Sequence, residues 1–161
     1  MSMNRKGQGT RDKGQEGFTL LLAALVASVV LALGTSIFAL AQKELQLSSV
    51  GRDSQFAFYT ADSAAECALF WDIRYTLFAT SSPPASVTCD AQTASVTVQT
   101  QQAVTTFTYQ YESGGLCAKV SVAKQDTHPR TTIHANGYNT SCADIISSAS
   151  RALERSVELR Y

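Results

Sequence analysis

The sequence has few of the residues from which catalytic and metal sites are built. It contains two histidines, His128 and His134, and neither has a cysteine or a carboxylate beside it at the spacing of metal ligands. No Ser-His-Asp order, nucleophile elbow, phosphate loop or pair of catalytic carboxylates stands out. We therefore predict a protein that is not an enzyme and that uses no metal or cofactor. The alternative of a secreted hydrolase would need catalytic residues that the sequence does not display.

The chain also lacks an excess of charge of either sign. Its 13 lysines and arginines balance its 13 aspartates and glutamates, so the formal net charge is zero. Domains that bind nucleic acid normally present a basic face. The composition therefore gives no support for a nucleic-acid partner.

Charge is missing altogether from one segment, Gly17 to Gln42, around which the chain is organised. The 25 residues after Gly17 exceed the about 20 that a helix needs to cross a bilayer. Four basic residues precede it: Arg5, Lys6, Arg11 and Lys13. Basic residues hold their end of a membrane helix in the cytoplasm. The pattern predicts a single-pass helix over 18–42 in the cytoplasmic membrane, with the C-terminal domain outside.

The first residues of this segment carry a resemblance to a known family. Gly17 followed by Phe18, Thr19, Leu20 and an unbroken apolar run resembles the processing site of type IV pilins and pseudopilins. The resemblance implies that residues 1–17 are a leader peptide, cut between Gly17 and Phe18 by a prepilin peptidase. It also implies methylation of the new Phe18 amine.

The resemblance further implies assembly with other pilin or pseudopilin subunits into an extracellular fibre whose core is a bundle of these helices. The residues expected to pack in the bundle are Phe18, Leu21, Leu22, Leu25 and Val29. Leu22 departs from the family, which usually has a glutamate at this fifth mature position, paired with the terminal amine of a neighbour. The departure favours a minor or tip subunit over the repeated major subunit.

Two other interpretations of the apolar segment compete with a fibre subunit. Ala39-Leu40-Ala41 has the form of a signal-peptidase site, which would release a secreted domain. The segment could also be an uncut anchor. In either case the protein would be an extracellular binding module that does not polymerise. Neither interpretation explains why the apolar run begins with Gly-Phe-Thr-Leu.

The helix is predicted to continue beyond the membrane to about residue 80. Only Gly51 and no proline interrupt residues 43–78, and Ser81-Ser82-Pro83-Pro84 follows as a stop. One apolar stripe has alternating spacings of four and three, which predicts a face packed on a sheet. Its members are Ala57, Ala61, Ala64, Ala68, Trp71, Tyr75 and Phe78. Asp62, Glu66 and Asp72 are interpreted as solvated or capping carboxylates.

Residues 81–161 change to the two-residue period of strands. Alternating segments rich in β-branched residues occupy 95–100, 104–111, 116–124, 130–135 and 156–161, with a polar loop over 136–150. The pattern predicts an α+β fold in which a long N-terminal helix packs on an antiparallel meander of about five strands. Pilins have the same architecture, by the resemblance.

All four cysteines, Cys67, Cys89, Cys117 and Cys142, follow the apolar segment. An even number in an exported domain predicts two disulfides, with three possible connectivities. Cys67 with Cys89 and Cys117 with Cys142 are favoured, since each pair joins neighbouring elements. The alternative is that some cysteines are buried free thiols.

Overall fold

The computed structural model describes residues 13–147 and 152–161, with side chains from Gly17 onward. The predicted leader falls mainly on residues 1–12, which lie outside the described residues. Helix α1 spans Lys13–Tyr75 and therefore already includes the last residues of that leader. The chain divides into two compact units, residues 1–47 and 48–161. The described part of the first unit is helical throughout.

The second unit joins the end of α1 to an antiparallel sheet, as predicted. The elements after α1 are β1 Ser86–Cys89, β2 Gln92–Ser95, β3 Thr97–Gln101, β4 Val104–Ser113, β5 Leu116–Lys124, β6 Thr131–Tyr138, α2 Cys142–Ser147 and β7 Glu154–Arg160. Strands β3 to β7 form one meander in chain order, and β1 pairs with β2 as a separate hairpin. The α+β fold class with a long N-terminal helix is confirmed.

The core lies between the sheet and one face of α1. This inner face consists of Ala57, Ala61, Ala64, Ala65 and Ala68, all essentially without exposed surface. The sheet contributes alternate residues of each strand, since successive side chains of a strand point to opposite faces. They include Phe107, Tyr109, Val120, Val122, Ile133 and Ala135.

The alanines are needed because the backbones of helix and sheet lie very close together. At Gly137 of β6, an added Cβ would overlap the backbone of Ala57 and Ala61. Glycine is therefore the one residue type that fits this position. A larger side chain than alanine on the inner face would push the two layers apart.

Helix α1 ends earlier than predicted, at Tyr75. Thr76 adopts a left-handed φ of 49°. The amide of Leu77 then donates to the carbonyl of Trp71, 3.1 Å away, instead of continuing the helical pattern. Phe78 is buried as predicted, but from the loop after the helix, and Tyr75 is exposed, which corrects its place in the predicted stripe.

The hairpin β1–β2 is absent from the sequence prediction. Its two-residue turn is formed by Asp90 and Ala91, both with positive φ. Turns of this kind usually contain glycine or asparagine, and their absence here hides the hairpin from sequence rules. The predicted loop over 136–150 is also partly wrong, because β6 continues to Tyr138 and α2 follows it.

Candidate functional site

The apolar segment of the first unit forms an exposed helix surface. None of the residues in its most apolar part is buried. Within the described residues, α1 is the one helix long and apolar enough to cross a membrane. This property is compatible with a single-pass anchor.

The residues predicted to pack in a helix bundle share one side of this segment. They are Phe18, Leu21, Leu22, Leu25 and Val29, at helical spacings of three and four, and all are at least half exposed. Gly17 directly precedes them and lies in the same helix. An exposed apolar surface of this size is typical of a contact with a membrane or with another protein.

A second exposed apolar surface lies on α1 within the second unit. We call it the outer stripe, and its residues follow one another at spacings of four and three on the side of the helix opposite the inner face. They are Arg52, Phe56, Tyr59, Ser63, Glu66, Phe70 and Ile73, all exposed. The exposed fractions of Phe56, Tyr59, Phe70 and Ile73 are 48, 66, 52 and 65%. Four large apolar side chains thus face outward from a folded domain.

The outer stripe carries charge at two defined positions. Arg52 lies before Phe56, and Glu66 lies between Tyr59 and Phe70. Within the part of the chain that the structure describes, neither Arg52 nor Glu66 has an ion-pair partner. Phe70 is held by edge contacts with Trp71 and Tyr75, at ring distances of 5.7 and 5.4 Å.

A cleft of about 190 Å³ opens beside Phe56 and Tyr59 of the outer stripe. Its walls also include Tyr111, Leu116 and Asp90. The pKa of Tyr111 is raised by burial and by the nearby Asp90 carboxylate, so this phenol stays neutral. The cleft therefore offers an incoming side chain aromatic and aliphatic walls together with polar ones. The polar lining residues are Asp90, Thr60, Ser63 and Ser113.

A buried polar cluster connects α1 to one end of the sheet, where β5 ends, β6 begins and β7 ends. Asp72 is only 7% exposed. Its Oδ2 accepts hydrogen bonds from Lys124 Nζ at 2.5 Å and from the Tyr161 hydroxyl at 2.6 Å. Lys124 Nζ also donates to Thr131 Oγ1 at 2.9 Å. Burial, followed by the hydrogen bond to Asp72, raises the pKa of Tyr161.

The prediction of a solvated Asp72 is therefore wrong, whereas Glu66 is exposed and Asp62 is partly exposed. Asp72 follows Ala61, Ala65 and Ala68 at spacings of four, three and four, so helical periodicity alone places it on the inner face. A buried carboxylate at such a position needs a cation or hydrogen-bond donors, which Lys124 and Tyr161 supply.

Both favoured cysteine pairings are present, and all four cysteines are in disulfides. Cys67–Cys89 joins α1 to β1, with Cα atoms 6.0 Å apart. Cys117–Cys142 joins β5 to α2, with Cα atoms 4.8 Å apart. Each bridge ties a short peripheral element to the core.

The outward face of the sheet brings the second histidine into a cross-strand row. Ser121, His134 and Glu158 are paired neighbours on β5, β6 and β7. His134 Nδ1 lies 3.4 Å from Glu158 Oε2. In the residues that the structure describes, no hydrogen bond joins Ser121 to His134. The row therefore lacks the nucleophile–base contact that a serine hydrolase uses.

Comparisons with protein families, with curated proteins and with solved structures find no match to this chain.

Proposed function

We propose that this protein is a structural subunit of a type IV pilus or of a type II secretion-like pseudopilus. In this proposal the prepilin peptidase removes residues 1–17 and the Phe18 amine is methylated. The chain is a single-pass membrane protein until it is assembled into a fibre. Its partners are other pilin or pseudopilin subunits. Leu22 in place of the family's glutamate favours a minor subunit.

The observation that carries the proposal is an exposed, charge-free segment of α1 that begins at the Gly17-Phe18 site. Its bundle-facing residues, from Phe18 to Val29, have no contacts that bury them within the described part of the chain. A processed helix of this kind has two environments open to it, the bilayer before assembly and a bundle of like helices after it.

The outer stripe supports the same proposal from a second region. An ordinary anchored domain has no need of large apolar side chains on the outward face of α1, and it would gain solubility from polar ones. A domain that packs against neighbours through this helix would need them. The alternative, an anchored or secreted binding module that does not polymerise, would have to bind a different partner through the outer stripe.

The proposal is tested by intact-mass and N-terminal analysis of the mature protein from cells with and without a prepilin peptidase. We expect a chain that begins at methylated Phe18, and only when the peptidase is present. A start at Gln42 would identify a secreted domain. An uncut chain would identify an ordinary anchor, and either of these results would overturn the proposal.

A further inference from the structure

The outer stripe divides into two halves with the same layout. The first half, in chain order, is Arg52, Phe56 and Tyr59, and the second half is Glu66, Phe70 and Ile73. Both halves place a charge first, an aromatic four residues later and an apolar residue three further on. The halves differ in the sign of the charge. The offset from position 52 to position 66, about 21 Å along a helix, is called the half-stripe shift.

We propose that the outer stripe binds a second copy of this chain, in parallel and displaced by the half-stripe shift, so that the second half of one copy docks on the first half of the next. Arg52 then meets Glu66 of the next copy, Phe56 meets its Phe70, and Tyr59 meets its Ile73. The inference deepens the proposed function, on which it rests, by naming the partner of this surface.

Other parallel alignments of two copies match less well. With no shift, Glu66 faces Glu66 and Arg52 faces Arg52, so that like charges meet. A shift of half the size sets Phe56 against Ser63 and Tyr59 against Glu66. An apolar ring opposite a carboxylate or a hydroxyl leaves the polar group without a partner, which costs stability.

Two further alignments bring Glu66 to an arginine but mismatch the apolar residues. An antiparallel pair centred on Tyr59 joins Arg52 to Glu66 twice, yet it sets Phe56 against Asp62. A parallel shift that joins Glu66 to Arg74 also sets Phe70 against Asp62. Among these alignments, only the half-stripe shift satisfies the charged and the apolar positions together.

The cleft beside Phe56 and Tyr59 is a second, independent observation in favour of this contact. It lies at the receiving half of the stripe, and its about 190 Å³ are open to a side chain from outside. Phe70 and Ile73 are the exposed apolar side chains that the half-stripe shift delivers there. An aromatic or aliphatic anchor in an apolar pocket is the usual centre of a stable interface.

The contact is heterologous, because each copy uses a different half for each neighbour. Such a contact does not close on itself unless the rotation between copies permits a ring, and it can therefore continue from copy to copy. The Arg52–Glu66 pair would also set the register between neighbours. In the family that Gly17 and Phe18 resemble, the glutamate that Leu22 replaces pairs with a neighbouring subunit, and the Arg52–Glu66 pair would take over this role. A minor subunit with this contact occurs in runs of several adjacent copies.

Cysteine cross-linking of the detergent-solubilised full chain tests the contact, because no bilayer then holds the apolar segments of two copies at the same depth. All native cysteines are in disulfides, so introduced thiols are the only free ones. We expect mild oxidation of the double variant Arg52→Cys/Glu66→Cys to give a ladder of dimers, trimers and larger species on a non-reducing gel. The single variants Arg52→Cys and Glu66→Cys should remain monomeric. Arg52→Cys/Gln99→Cys is the matched control with two exposed thiols.

Each other outcome overturns the proposal. Dimers from either single variant indicate copies without a shift. Dimers and nothing larger from Arg52→Cys/Glu66→Cys indicate the antiparallel pair. Monomers from every variant show that the outer stripe does not bind a second copy. A ladder from the control as well would show that collision, and not the shifted contact, produces the cross-links.

Exchange of the two charges provides a second measurement. After amine cross-linking of the detergent-solubilised chain, Arg52→Glu and Glu66→Arg should each reduce the oligomeric fraction by about tenfold or more, because each variant places two like charges opposite one another. The double variant Arg52→Glu/Glu66→Arg should restore it. Failure of the double variant to recover would contradict the pairing.

The cross-linking experiment and the N-terminal analysis test the two proposals independently, so that one proposal can be overturned while the other stands. A ladder from a chain that keeps its leader would leave the contact intact and overturn the fibre subunit. A methylated Phe18 in sheared fibres, with no ladder, would support the fibre subunit and overturn the contact.

Discussion

The inner and outer faces of α1 in residues 48–75 differ in the size and in the exposure of their side chains. The inner face is built of alanines, all buried, against a sheet that approaches at Gly137. The apolar residues of the outer stripe are phenylalanine, tyrosine and isoleucine, all exposed. The alanines follow from the close approach of the sheet, whereas an exposed patch of large apolar side chains is typical of a surface that contacts a protein or a membrane.

The strongest test of the inner face is Gly137→Ala. The added methyl group would overlap the backbone of Ala57 and Ala61, and backbone cannot rotate away as a side chain can. We expect the free energy of unfolding to fall by about 3 kcal/mol, at the upper end of overpacking effects. Chemical denaturation of the full chain in detergent measures it.

Gly51→Ala is the matched control, since an added Cβ there meets nothing within 4 Å. Gly51 lies within α1, where alanine favours the helix by about 1 kcal/mol. An equal loss in both variants would contradict close packing at Gly137.

The next largest effect is expected at the buried polar cluster. Asp72→Ala leaves Lys124 with one hydrogen-bond acceptor fewer and removes the acceptor of Tyr161. Loss of one partner of a fully buried ion pair costs about 3–5 kcal/mol, and we expect about 2 kcal/mol here because the Lys124 side chain is 20% exposed. The same denaturation experiment measures the loss.

Glu66→Ala, on the outer stripe, is the control for Asp72→Ala. It should change the free energy of unfolding by less than about 0.5 kcal/mol, as exposed substitutions usually do. Similar losses of unfolding free energy in the two variants would contradict the different roles of the buried and the exposed carboxylate.

A smaller effect is expected from alkaline pH. Burial, and next the neighbouring Tyr111, raise the pKa of Tyr109 above its ordinary value of 10.0. Because the raised pKa belongs to the folded state, stability is unaffected below about pH 10 and falls as the pH rises above it. Denaturation at pH 8 and pH 11 measures the loss.

Tyr109→Phe should reduce this alkaline loss, whereas Tyr59→Phe, at an exposed position, should leave it unchanged. An unchanged alkaline loss in Tyr109→Phe would show that another group titrates.

Much of the fold could be predicted from the sequence because its patterns are local. Apolar residues spaced alternately four and three positions apart identified Ala57, Ala61, Ala64 and Ala68 as buried. The two-residue period identified the strands of the meander. The structure pairs these strands in chain order, as predicted for a meander.

The features that sequence reasoning missed depend on partners distant in the chain or on unusual turns. Asp72 is buried only because Lys124 and Tyr161 reach it from β5 and from the residue after β7. The hairpin β1–β2 turns on Asp90 and Ala91 without a glycine. The outer stripe has regular spacing, but polar residues interrupt its apolar ones, and its exposure required knowledge of where the sheet lies.

The most direct test of the division between the two faces is a paired measurement on Tyr59→Ser/Phe70→Ser in the full chain. One half is the unfolding midpoint in detergent, and the other is the amount of protein in sheared surface fibres. We predict an unfolding midpoint equal to that of the unsubstituted protein, together with loss of the protein from the fibres. A lowered midpoint, or fibres that still contain the variant, would contradict the assignment of the outer stripe to assembly.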